Sequence, residues 1–281
     1  MEILAVEGLS VRLTSHPGQP TILEDVGLTV SPGEVLGIVG ESGSGKSMLA
    51  LSIMGLLPPA LAMSASRMSL LGHELAGEPR EAWRTHRGRD VAMIFQEPMT
   101  SLNPVMRVGT QIKEVLRWRG GMRGGAARRR ALELLEQVEI PSPRSRLGAY
   151  PHELSGGMRQ RAAIASVLAI NPSTLLMDEP FGALDSLTRS IMQDFLLEIW
   201  DEQRKTVVLV THDIDEAVYL ADRTVIMTAH PGQIHEVIDV GLPRPRRYEM
   251  RSEAPFIALR DHVTQIVRSE AIKGTPDSAV S

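Results

Sequence analysis

The chain is 281 residues long, 43% hydrophobic and carries a formal net charge of -4; this allows one or two domains with a sizeable core and gives no overall basic surplus of the kind that nucleic-acid binding favours. It has no cysteine, which excludes disulfides, thiolate catalysis, cysteine zinc sites and cysteine-bound iron–sulfur clusters. No basic region followed by a long apolar core opens the sequence, so no signal peptide is expected; the most apolar stretch, residues 53–65, contains Pro58-Pro59 and is too short to span a bilayer. Any membrane role therefore needs a partner that does the spanning.

Residues 3–6, 9–13 and 22–30 read as strands around the turn-rich Ser15-His16-Pro17-Gly18-Gln19-Pro20, an antiparallel prelude. The apolar run Val35-Leu36-Gly37-Ile38-Val39 then leads into Gly40-Glu41-Ser42-Gly43-Ser44-Gly45-Lys46-Ser47 and a helix-like stretch at 48–54. Strand, glycine loop and helix in that order are what a phosphate cradle requires. The glycines let successive backbone N–H groups turn toward one anion, and the helix adds its unpaired N-terminal N–H groups and dipole. Lys46 reaches the β- and γ-phosphates and the Ser47 hydroxyl can ligate Mg²⁺. A plain Gly/Ser turn would give no reason for a Lys-Ser pair at this spacing. Nucleotide sites often hold the base against an aromatic face, yet none precedes Trp83. Leu13 or His16 would have to cover the base, with weak base selectivity as the result, although His16 in its Pro/Gly setting reads better as a solvated loop residue.

Residues 68–70 and 90–95 read as further strands, the second ending at Gln96 on a Pro/Asn/Ser-rich loop that runs to Pro104. A glutamine there can touch Mg²⁺ or an attacking water and let go, though such a residue is more often a hydrogen-bonded loop side chain. Helices are expected at 108–118 and 126–138; in the second, Ala131, Leu134, Leu135 and Val138 fall at i, i+3, i+4, i+7. The Gly/Arg-rich 119–125 reads as a flexible connector. Arg117, Trp118 and Arg128-Arg129-Arg130 form a basic face that reads as solvated helix surface, or as a surface near anionic lipid headgroups, rather than as an RNA patch.

Ser155 and the pair Gly156-Gly157 stand at the start of a helix pattern running through 162–170, a second anion-binding end in the same chain. Two such ends are reconciled most simply if one holds the chain's own nucleotide and the other completes the site of a second copy. The apolar run 174–177, expected of a strand buried on both faces, ends in Asp178-Glu179-Pro180. Ligands of parallel sheets sit at the carboxyl ends of strands, which places Asp178 to hold Mg²⁺ and Glu179 to polarise the water that attacks a γ-phosphate. After Ala183-Leu184-Asp185 comes a helix with Ile191, Phe195, Leu196 and Ile199 on one face, then a buried strand at 206–210 ending in Thr211-His212-Asp213. His212 at that end can donate to a γ-phosphate oxygen. Strands at 224–228 and 234–240 follow, 241–247 reads as a boundary, and a helix near 255–269 precedes a polar, frayed 274–281.

Together these motifs resemble the ATP-binding subunit of an ABC transporter: Walker A at 40–47, the Q-loop Gln96, the signature Leu154-Ser155-Gly156-Gly157-Met158, Walker B at Asp178-Glu179, the D-loop Ala183-Leu184-Asp185 and the switch His212, in the family's order. The resemblance covers about residues 1–270. It implies an α/β fold: a P-loop NTPase core with a mostly parallel sheet, an N-terminal antiparallel β subdomain and an inserted helical subdomain at about 97–165. The nucleotide-binding domain would run to 243, and 244–281 would be a helical extension and tail. It also implies ATP with Mg²⁺ held by Ser47, Gln96 and Asp178, and catalysis by Lys46, Gln96, Glu179 and His212. Ser155, Gly156, Gly157 and Asp185 would serve the nucleotide of a second copy, or of a sister subunit, in a head-to-tail pair. The implied partners are integral membrane permease subunits and, indirectly, an extracytoplasmic solute-binding protein, with no nucleic acid; the implied place is the cytoplasmic face of the inner membrane. Met158 stands where Gln is commonest, and the adenine-stacking aromatic is missing; neither touches the hydrolytic residues.

Within the family the chain points two ways. From 31 to about 165 it looks like importers of dipeptides, oligopeptides and nickel; from about 168 onward it looks like nitrate, sulfonate and taurine importers. Soluble cassettes of DNA repair carry coiled-coil or zinc insertions and those of translation carry two cassettes, and neither feature is present here.

Overall fold

The computed structural model describes residues 2–14, 20–79, 81–96, 102–182 and 184–274. His16, the loop residues 97–101 and Ala183 lie outside the described residues, as do 275–281 of the tail read as frayed. The chain forms two compact units, Met1–Thr85 with Leu197–Ser281, and His86–Leu196.

In the first unit β1 (Leu4–Leu13) and β2 (Thr21–Val30) pair antiparallel, with Leu4 opposite Val30 and Val11 opposite Leu23. The two short strands expected at 3–6 and 9–13 are one strand whose register shifts between Val6 and Leu9; a bulge bends the strand without ending it. β4 (Leu61–Ser64) and β5 (Arg67–Leu70) both pair with β1, and β6 (His73–Glu74) closes on β5. β4 has no counterpart in the sequence reading, because its alternation of half-buried and exposed residues follows directly on Pro58-Pro59.

The second sheet of this unit carries the chemistry-bearing loops. β3 (Val35–Gly40), buried at all six residues, lies between β10 (Arg223–Met227) and β9 (Thr206–Val210), both parallel to it. β11 (Ile234–Asp239) adds antiparallel to β10. Helices α1 (Lys46–Ile53) and α7 (Ile214–Leu220) pack on β3, and α8 (Ala254–Gly274) packs on α7. Segment 241–247, read above as a boundary, is fixed by long-range contacts. The Arg244 guanidinium lies 3.7 Å over the Trp200 ring and donates to Asp222 Oδ1 at 2.8 Å and Leu220 O at 2.8 Å. Arg246 donates to Ala221 O at 2.9 Å; burial, helped by the Arg244 charge, pulls its guanidinium down to about 10.

In the second unit β7 (Val91–Ile94) and β8 (Thr174–Asp178) run parallel, with Ile94 opposite Met177. Around them are α2 (Val108–Gly120), α3 (Gly124–Gln137), α4 (Pro143–Arg146), α5 (Gly156–Leu168) and α6 (Ser186–Gln203), in which the division between units falls. The expected α3 face is the observed one: Ala131, Leu134, Leu135 and Val138 are all buried. Two expectations need correction. Residues 119 and 120 belong to α2, and Arg119 is tied to Arg87 O at 2.6 Å, so the connector is only 121–123. Ile191 is exposed whereas Met192 is buried with Phe195, Leu196 and Ile199; 192, 195, 196 and 199 are the true i, i+3, i+4, i+7 set. Trp118 is solvent-exposed, as the solvated-face reading expects.

The start of β7 is anchored by a buried carboxylate. Asp90 accepts from Arg89 at 2.9 and 2.7 Å and meets His86 Nδ1 at 2.7 Å, while its backbone carbonyl accepts from Thr174 N–H at 2.9 Å. Arg89, and after it His86, hold the carboxyl below its usual value of 3.8 despite burial. A depressed carboxylate contributes stability that is complete above its unfolded pKa and is lost as pH falls through the folded one. The unit's acid unfolding should therefore have a steep limb below pH 3.8 that Asp90→Asn flattens. Identical acid limbs for the variant and the parent, followed by circular dichroism, would rule this out.

Candidate functional site

The first unit supplies a phosphate cradle. The chain turns through positive φ at Gly40, Gly43 and Gly45 (158, 85 and 84°). A side chain at Gly40 would start 2.5 Å from the Met227 carbonyl and 2.9 Å from Ser44 Oγ, so the loop can leave β3 beside β10 only with glycine there. Ser44 N–H donates to Glu41 O at 3.2 Å, closing the turn that carries Ser42. The N-terminus of α1 has no side-chain cap and no acidic residue in its first turn, so no negative side chain there opposes an anion. Lys46, only 6% exposed, arches back so that its ammonium donates to Gly40 O at 2.8 Å, Glu41 O at 2.7 Å and Ser44 Oγ at 3.3 Å. A buried ammonium needs such partners, and phosphate oxygens at the loop can take their place. Ser47 occupies the second position of α1.

The parallel register, Ile38 opposite Val210, brings the phosphate loop and Thr211-His212 to the same carboxyl edge of the sheet. His212 is exposed there. A second imidazole escaped the sequence reading. His230, in the turn between β10 and β11, stands 3.9–4.0 Å from where a side chain at Gly43 would begin. Nothing in the local pattern around residue 230 signals this neighbour, which is nearly 190 positions away.

The second unit supplies the acidic end. β8 delivers Asp178, 5% exposed, and Glu179, whose φ of 45° turns the chain sharply out of the strand. The β7–β8 register carries Gln96 level with Glu179, and Gln96 Nε2 donates to Glu179 Oε2 at 3.1 Å. Both residues are expected at strand ends from the sequence; the bond between them is not. Ser155 caps α5 by accepting Met158 N–H at 3.3 Å. Gly156 and Gly157 form the first turn; a side chain at Gly157 would start 2.8 Å from Thr188 Cγ2 at the beginning of α6. Asp185 accepts Thr188 N–H at 3.0 Å, and the Thr188 contacts hold its carboxyl below the usual range, so it is ionised at neutral pH.

Among the described residues no cluster of three or more His, Asp or Glu side chains is arranged to hold a metal by itself. Ser47 in the first unit offers a hydroxyl, and Gln96 and Asp178 in the second offer an amide and a carboxylate, each with an oxygen of the kind that Mg²⁺ takes.

The chain matches the ABC transporter family model over residues 23–182. It is 41% identical to the dipeptide transport ATP-binding protein DppD of Escherichia coli (strain K12) over 239 residues, 85% of this chain and 72% of that protein. It is 43% identical to DppD of Haemophilus influenzae over 236 residues, 84% of this chain and 71% of that one. Among solved structures, the dimeric post-hydrolysis state of the ATP-binding cassette MJ0796 with ADP and Pi aligns over 85% of this chain and 100% of its own, with a TM-score of 0.73 and 28% identity. CbiO1 of Clostridium perfringens, part of the transporter complex cbiONQ, aligns over 98% and 99% with a TM-score of 0.69; at 24% identity it bears on the fold alone.

Proposed function

This chain belongs to the ABC transporter family, and we propose that it is the ATP-hydrolysing subunit of an importer that takes up dipeptides or oligopeptides through a separate membrane permease. The observation that carries this reading is the 41–43% identity to dipeptide transport ATP-binding proteins across 84–85% of the chain. The phosphate loop and the Gln96–Glu179 pair supply chemistry consistent with it. No helix among the described residues is long and apolar enough to cross a membrane. In this reading permease subunits do the spanning and the chain acts on them at the cytoplasmic face of the inner membrane.

Each side chain has a role that its surroundings suit. The N-terminus of α1 and the loop N–H groups would hold the β- and γ-phosphates, with Lys46 exchanging its own-loop oxygens for theirs. Ser47, Asp178 and Gln96 would hold Mg²⁺, which would supply positive charge to offset that of the phosphate oxygens. Glu179 would accept the proton of the attacking water and His212 would donate to a γ-phosphate oxygen. Ser155, Gly156 and Gly157, at a capped helix start, would bind the γ-phosphate held by a second copy or a sister subunit, with Asp185 beside them.

The nitrate- or sulfonate-type alternative, like the nickel one, concerns the cargo and not the hydrolysis. Affinity purification from the native membrane decides. A peptide-type permease is expected to come down with the chain, and a peptide-loaded binding protein is expected to raise the ATPase rate of the reconstituted complex. Recovery of a nitrate-, sulfonate- or nickel-type permease, with no response to peptide, would overturn the substrate assignment; recovery with ribosomes or DNA would overturn the importer assignment.

A further inference from the structure

Glu216 is a carboxylate for which the proposed chemistry has no use, yet it is 4% exposed. Burying an ionised group is costly unless it is hydrogen-bonded, so its partners are informative. α7 starts at the N-cap Asp213, whose side chain accepts Glu216 N–H at 3.1 Å. In an ordinary capping box the glutamate at the third helical position answers by accepting the N-cap backbone N–H directly. Here a threonine is interposed: Asp213 N–H donates to Thr211 Oγ1 at 3.0 Å, and the Thr211 hydroxyl donates to the Glu216 carboxylate. Thr211 is 1% exposed, and its own N–H continues the sheet ladder to Ile38 O at 3.0 Å.

The result is a closed circuit, 211 to 216 to 213 and back to 211, and its Thr211–Asp213 arm spans His212. The peptide unit that follows His212 is thereby tied to the Thr211 hydroxyl, and Thr211 is itself tied through its N–H to β3, the strand that also launches the phosphate loop. A β-branched side chain such as Thr211 is stiff at χ1, so the relay holds its hydroxyl in one orientation, and the helix cap alone does not require it because Asp213 already supplies one.

We propose that Glu216 is a positioning residue for His212, acting through the Thr211 hydroxyl to aim the imidazole at the γ-phosphate. This rests on the reading of His212 given above. Nucleotide binding resides in the loop around Lys46, so opening the relay slows turnover without weakening binding.

The test uses the full chain assembled with its permease and measures steady-state ATP hydrolysis. Misplacing a catalytic group by about 1 Å costs on the order of 10²-fold. Glu216→Ala and Thr211→Val are therefore expected to lower kcat by about that factor, with KM for ATP within about threefold of the parent. Thr211→Ser, which keeps the hydroxyl, is expected to retain most of the rate. Because the effect runs through His212, the double variant His212→Ala/Glu216→Ala is expected to be no slower than His212→Ala alone. Thr211→Val conserves shape, so it stays informative if Glu216→Ala fails to fold. Parent-like kcat in Thr211→Val while His212→Ala is inactive overturns this inference and leaves the role of His212 standing. A raised KM with unchanged kcat, or multiplicative losses in the double variant, also overturns it. Full turnover by His212→Ala removes the role of His212 and this inference with it.

Discussion

Glu179→Gln will bind ATP normally and hydrolyse it about 10²–10⁴-fold more slowly, the usual cost of losing a general base. The substitution conserves size and leaves one oxygen to accept the Gln96 amide, which donates to Glu179 Oε2 at 3.1 Å. What it removes is the capacity to take a proton from water. The backbone at this position is already committed: Glu179 has a φ of 45°, and a non-glycine residue held there costs about 1–3 kcal/mol that surrounding structure must offset. The variant should also collect as an ATP-bound pair, since in this reading hydrolysis is what reopens the pair. Size-exclusion chromatography with ATP and a phosphate-release assay give the two readouts. Near-normal phosphate release would remove Glu179 from the role of base.

The parts of this molecule that were legible in sequence are those in which a local pattern has a local cause. β3, the loop from Gly40 to Ser47 and α1 are contiguous, and the loop glycines announce themselves by the turn they must make. The α3 face is legible because burial at 131, 134, 135 and 138 repeats with the helix period. The capped start at Ser155 is legible for the same reason. What escaped is set by register or by distant packing. Gln96 and Glu179 are 83 positions apart, and only the pairing of Ile94 with Met177 brings them level. His230 reaches Gly43 through the turn between β10 and β11. Arg244 on Trp200 fastens the Pro/Arg-rich segment that follows β11. The one-residue error at Ile191 has another origin: two adjacent apolar residues, Ile191 and Met192, fit a helical stripe almost equally well, and packing selects the second. The bulged β1 reads as two strands because a pair, Glu7-Gly8, interrupts the apolar alternation that pairing with β2 carries across.

Mixing two inactive variants should restore hydrolysis. Lys46→Ala removes the ammonium that bridges Gly40 O, Glu41 O and Ser44 Oγ, so a chain carrying it cannot grip its own nucleotide. Ser155→Arg fills the first turn of α5 with a bulky cation and deletes the cap to Met158 N–H, which costs roughly 0.5–2 kcal/mol of helix stability; circular dichroism should show that the variant still folds. Each homogeneous pair then has two defective sites. If the pair is head-to-tail, every site combines one chain's phosphate loop with the other chain's signature. A mixed pair gathers both lesions into one site and leaves the other intact. Random pairing makes about half of the pairs mixed, each with one sound site of two, so about a quarter of parental turnover is expected to return. The recovery should vary with mixing ratio and peak near equal amounts. If cross-linking shows that mixed pairs form and the rate stays at the level of either variant alone, the signature does not act on the neighbour's nucleotide or one intact site is not enough. Titrating Lys46→Ala chain into parental chain separates those two outcomes: a loss proportional to the fraction of altered chains means that sites fire independently, and a steeper loss means that each pair needs both.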